Sequence, residues 1–229
     1  MSKKASSASP SSGAPRVSKR EQLRAERRRR TLLWNVILLG GGALLIAGVA
    51  WFAFANARPG TFPGELSAPR DFPDEGRGHI ASRNADGAFS GSRPTYQHYP
   101  PSSGTHYGDL VAPWGIYTQG TPFPMPEGVV DPEGIFVHNL EHGGVVFLYA
   151  CPDTCPELEQ QFKDLYEKIP PDVTFNSKKV LALPYDSSKI PTKIVALAWT
   201  HQWNTDTFDE TQFINWYRRF VNKGPELVR

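Results

Sequence analysis

The sequence predicts an α/β protein. An N-terminal transmembrane helix is followed by a small ectodomain built on a βαβ unit, with a long irregular Pro/Gly-rich part ahead of that unit. Three observations carry this. Residues 32–55 are one apolar run without a charge. Residues 145–150, VVFLYA, are a continuous apolar segment of strand length, as in a strand buried on both faces. An amphipathic helical pattern and a second apolar segment follow it directly, while the 21 prolines and 20 glycines of the 229-residue chain break the region upstream.

Residues 1–31 hold ten Lys/Arg and two Glu, a net +8; the rest of the chain has 25−10 = 15 basic and 23−2 = 21 acidic residues, a net −6. This Ser/Ala-rich tail cannot bury a core and is expected to be disordered and cytoplasmic. Its charges set topology, or lie on anionic lipid. No aromatics are interleaved with them, so no nucleic-acid partner is expected.

A helix over 32–55 rises about 1.5 Å per residue and crosses a hydrocarbon core of roughly 30 Å with some tilt. Trp34 and Trp51 suit the two interfaces. Arg27, Arg28, Arg29 and Arg30 precede the run and only Arg58 follows closely, which puts the body outside the cell membrane. Ala55-Asn56-Ala57 resembles a cleavage site, but the run is too long for an ordinary signal core. A single-pass signal-anchor in the lipid bilayer is the expectation.

Residues 56–95 read as an extended extracytoplasmic tether. His79 lies in it and matters only if this segment folds back onto the body. Residues 96–229 are the globular α/β part. It opens with YQHYPPSSGTHYGDLVAPWGIY, 96–117, a rigid irregular loop whose aromatics need burial and which offers His98 and His106. Residues 122–128 are a further loop, and 135–137 a short apolar lead-in to HNLEHGG.

After the strand, Thr154 and Glu157 stand as a capping box. Leu158, Phe162, Leu165, Tyr166 and Ile169 recur at helical spacing until Pro170-Pro171 stop the helix. Segments 178–185 and 193–200 read as a second and third strand, the first two parallel. A last helix over about 209–222 carries Phe213, Trp216, Tyr217 and Phe220 on one face.

Chemically capable groups concentrate in residues 134–157. His138 and His142, with Glu141 between them, would stand about 13 Å apart in a strand but stack on one face of a helical turn. Gly143-Gly144 is a helix stop, so a turn ending there is expected. Two imidazoles and a carboxylate make a copper or zinc site, for which His106 or His79 is the natural third imidazole. The alternative is a buried polar cluster in which the histidines bond to backbone carbonyls and Glu141. H-x-x-E-H also marks inverted zinc peptidases, but their motif sits inside a long helix and this one runs into glycines and a strand.

Cys151 and Cys155 lie at a strand end and a helix start. The helix N-terminus favours a thiolate at Cys155. Outside the membrane a disulfide is admissible, either as a short structural bridge or in redox or metal use.

The stretch YACPDTCPELEQQFKDLYEKI resembles the Sco-type copper chaperones, which are thioredoxin-like. That resemblance implies Cys151 and Cys155 as thiol ligands and His201, by order along the chain, as their histidine. Over 78–225 the chain resembles the bacterial family called domain of unknown function 3105, single-pass membrane proteins with an exported domain. The residues that carry it are YPPSSGTHYG (99–108), PWGIY (113–117), VHNLEHGGVVFLY (137–149), CPDTCPEL and KIVALAWT (193–200). The resemblance implies an exported body in which the histidine motifs belong together.

The expected function is a membrane-anchored, extracytoplasmic module that binds copper or zinc and delivers it to a membrane enzyme. Two alternatives stay open. One is a thiol–disulfide oxidoreductase or copper-thiol chaperone using Cys151 and Cys155. The other is a non-catalytic interaction module of a membrane protein complex with loop 96–117 as its surface.

Overall fold

A computed structural model describes residues 28, 30, 69–151 and 153–228. The chain divides into two compact units, 1–58 and 59–229. In the first, Arg28 and Arg30 are helical and exposed. The predicted membrane span and nearly all of the basic tail lie outside the described residues. Among the described residues, no helix is long and apolar enough to cross a membrane.

The second unit is a mixed α/β domain. A six-stranded sheet runs in the order β1-β8-β7-β5-β6-β4. Its strands are β1 (Arg70–Asp71), β4 (Gly115–Ile116), β5 (Val145–Ala150), β6 (Val180–Tyr185), β7 (Ile194–Ala198) and β8 (His201–Thr205). The two segments β2 (His79–Ile80) and β3 (His106–Tyr107) make a separate parallel pair. The helices are α1 (Glu133–Glu141), α2 (Pro156–Lys168) and α3 (Glu210–Phe220).

β5 pairs parallel with β6 and antiparallel with β7, so it lies inside the sheet and is apolar throughout. Its side chains alternate between two cores. Val145, Phe147 and Tyr149 pack with Leu158, Phe162, Phe213 and Trp216 of α2 and α3. Val146 and Leu148 pack with Phe136, Val137 and Leu140 of α1. The result is three layers, with α2 and α3 on one face of the sheet and α1 on the other.

The expected strand–helix–strand unit is present as β5, α2 and β6, with β5 and β6 parallel. The capping box is not. Cys155 is the N-cap of α2 and makes no side-chain cap bond, because the helix starts at Pro156, whose fixed φ suits the first helical position. The third strand ends at Ala198. Thr200 turns the chain through a positive φ of 61° and launches β8, which the polar segment HQWNT concealed.

The lead-in at 135–137 belongs to α1, a helix of nine residues rather than a single turn. All nine are buried, so the helix shows no polar face and leaves no amphipathic signature in the sequence. Its end follows the glycine signal. Gly143, at φ +75°, donates to the carbonyl of Leu140, and Gly144 donates to that of Asn139, which is a Schellman closure.

The tether boundary also shifts. Residues 70–95 are not an extended linker, since β1 pairs with β8 and β2 with β3. The buried Ser82 hydroxyl also donates to exposed Asp109, at 2.7 Å. Scattered short pairings of this kind have no periodicity for a sequence reading to detect.

Candidate metal centre

α1 is the platform of the site. Asn139 clamps the overlying loop, accepting from the Ala112 N–H at 3.0 Å and donating to the Ala112 carbonyl at 2.8 Å. This fixes Leu110, whose carbonyl accepts from His138 Nδ1 at 2.8 Å. On β3, His106 Nδ1 donates to the carbonyl of Gly104 at 2.9 Å. Both imidazoles thus have one nitrogen held by backbone, which sets the orientation of the other.

The parallel pairing of β2 with β3 sets His79 opposite His106. The ring of His79 lies over Gly108, where a Cβ would stand 2.9 Å from that of His79. Only glycine lets the two segments approach so closely.

Three imidazoles therefore meet Glu141. His79 Nε2 is 3.0 Å and His106 Nε2 2.9 Å from the same oxygen, Oε2. The His138 ring centroid lies 4.9 Å from that of His106 and 5.5 Å from that of His79. Ligand-capable atoms of His79, His106, His138 and Glu141 all fall within 4.8 Å of one another. His106, His138 and Glu141 are buried, whereas the His79 side chain is 45% exposed.

Burial pushes the Glu141 carboxyl up, but the hydrogen bond from His79 and the charge of a protonated His106 outweigh it, so the group sits below its ordinary value. Burial holds the His106 imidazole below its ordinary value. Burial and then the neighbouring His138 do the same to His142.

His142 lies beside this group and shares Glu141 with it through a second grouping with Glu226. Its ring is edge-on to that of His138, centroids 4.4 Å apart, and its Nε2 faces Glu226 Oε2 at 3.6 Å. His98 lies elsewhere, bonded to Glu75 at 2.5 Å and stacked on Phe72.

The cysteines form a disulfide, Cys151–Cys155, with 5.7 Å between Cα atoms. The bridge sits past the C-terminal end of β5, while α1 and Glu141 meet the other end. Six strand residues at about 3.3 Å each put close to 20 Å between the two sites. His201 does not join the cysteines. Register places it on β8 opposite Ala198, beyond Leu197, which pairs with Val146, so it lies at the far end of β5 from Cys151. It bonds instead to Asp71 at 2.6 Å. Loop 96–117 spends much of its aromatic and polar content inward, with Tyr107, His106 and Ala112 buried.

Sequence reasoning missed Asn139 and Glu226. The asparagine sits inside the motif as an ordinary polar residue. The glutamate lies 226−141 = 85 residues beyond its neighbour in space, with no motif around it.

Fold and site together define a mixed α/β domain with a histidine–carboxylate cluster clasped between one buried helix and a two-segment ribbon. The chain belongs to the family described as protein of unknown function (DUF3105), whose family model matches residues 89–228. Comparison with curated proteins and with solved structures finds no match to the chain.

Proposed function

We propose that this is a membrane-anchored, extracytoplasmic domain that binds a transition-metal ion, copper or zinc, through His79, His106, His138 and Glu141, and hands it to a membrane enzyme. The proton count at His106 supports this most directly. A carbonyl can only accept, so Nδ1 carries a proton toward Gly104. In a neutral ring Nε2 is then a bare lone pair facing Glu141 Oε2 at 2.9 Å, the same oxygen that His79 Nε2 meets at 3.0 Å. Two acceptors at that distance repel unless a cation joins them. The choice is a second proton on a wholly buried ring, or a metal ion.

Ligand atoms about 2.1 Å from zinc stand about 3.4 Å apart in a tetrahedron, so small outward movements suffice. Imidazole-rich donors suit copper and zinc. The anchor rests on the uncharged run 32–55, and a tether near the bilayer suits delivery to a membrane partner.

The test uses the full chain in detergent, stripped with chelator, reloaded with zinc or copper and analysed for metal content. Retention is expected in the wild type and its loss in a His106→Ala/His138→Ala double variant. Equal retention by both rejects the reading.

A second reading has two observations in its favour. The Cys151–Cys155 bridge sits at the start of α2, and the order β8-β7-β5-β6, with β5 and β6 parallel and β7 antiparallel to both β5 and β8, supports a thioredoxin-like arrangement around it. Thiol–disulfide exchange at this pair is the reaction it supports. Its reduction potential decides, since a strongly reducing value marks an inert bridge.

A further inference from the structure

We propose a second cation position next to the first, formed by His142, Glu226 and Glu141, so that the Glu141 carboxylate is shared by two ions. This rests on the single-ion reading above and extends it. Ligand-capable atoms of these three residues lie within 4.8 Å of one another, as do those of the first group, and Glu141 belongs to both. The His142 and Glu226 atoms that face each other are 3.6 Å apart. That is too long for a hydrogen bond and fits two ligands of one ion.

The C-terminal segment is built to hold Glu226 there. The N–H of Asn222 donates to the Gly143 carbonyl at 2.8 Å, and the N–H of Glu226 donates to the Glu141 carbonyl at 3.0 Å. Between them, Gly224 is pressed so closely on the end of α1 that a Cβ would collide with the carbonyl oxygens of Glu141 and Leu140. His142 is fixed as well. Its carbonyl accepts from the buried ammonium of Lys179 at 3.0 Å, and its ring lies against His138.

Two carboxylates brought this close repel each other without a cation. Two carboxylates and one imidazole suit a divalent ion such as zinc or manganese. Fewer donors and the partly exposed Glu226, at 40%, make this the weaker of the two positions.

The test titrates the metal-free full chain in detergent with zinc and counts bound equivalents by calorimetry and elemental analysis. Two equivalents are expected for the wild type, in a tight and a weaker phase. Glu226→Gln, which keeps the backbone bond to Glu141, and His142→Ala each remove the weaker phase and leave the tight one. One equivalent in the wild type overturns the second position and leaves the first standing. Two equivalents surviving both substitutions, or loss of both phases in Glu226→Gln, also overturn it. No binding by the wild type sinks the single-ion reading too.

Discussion

His79 and His106 face each other across β2 and β3 and bring their Nε2 atoms to one oxygen of Glu141, at 3.0 and 2.9 Å. They offer the same donor atom and are unlike as parts of the fold, because His79 is half exposed and His106 is fully buried.

Replacing them should therefore separate binding from stability. His79→Ala is expected to lower zinc affinity by more than about 100-fold, the upper end for losing an outer partner. Its folding stability should stay within about 0.5 kcal/mol of the parent. His106→Ala should also lose affinity, and should cost about 2–4 kcal/mol through the cavity and the lost bonds to Gly104 and Glu141. Denaturant unfolding of the metal-free proteins, alongside competition titration with a zinc chelator, checks both.

The cysteine pair lies at the other end of β5. A Cys151→Ser/Cys155→Ser variant should lose about 2 kcal/mol of stability, the figure for so short a loop. Its zinc stoichiometry should equal that of the parent. Loss of metal in this variant would move the ligand set to the thiols.

Asp172 gives a pH dependence whose sign can be stated. Burial opposes its charge, but the N–H groups of Phe175 and Ser177, the Asn222 amide and the Ser177 hydroxyl outweigh that and hold the carboxyl well below the usual range. A depressed carboxylate contributes fully above its unfolded value of about 3.9 and loses that contribution as pH falls through the lower folded value. Asp172→Asn should therefore cost about 2–4 kcal/mol at pH 7. The gap to the parent should close on acidification below pH 4. Urea unfolding at stepped pH reads it.

Gly224 tests the C-terminal clasp without touching a ligand. Gly224→Ala should force the segment off the end of α1 at a cost of about 1–3 kcal/mol. It should also abolish the weaker zinc phase while the tight phase persists. Calorimetric titration next to thermal unfolding measures both.

What the sequence revealed of this fold followed the strength of local patterning. VVFLYA is apolar at every position because β5 has cores on both faces, and Leu158, Phe162 and Leu165 repeat because α2 has one. β8 was concealed because its inward residues, Gln202 and Trp203, are set among polar neighbours. α1 was foreshortened because a helix buried all round has no stripe. At the site, His138 and Glu141 were legible from spacing and the glycine stop. His79 was legible only as a histidine in a presumed linker, since its bond to Glu141 spans 62 residues. Glu226 had no local cue, because its place depends on Gly224 fitting against a helix end.

The unequal exposure of the four proposed ligands gives the cluster a front and a back. His106, His138 and Glu141 are walled in by the helix and its overlying loop, and His79 alone stands at the rim. If the four hold an ion as proposed, a donor group from another molecule would displace that imidazole while the remaining three keep their grip. Cargo would then arrive and leave through a single doorway at the β2 edge, and that edge is the side a recipient would have to approach.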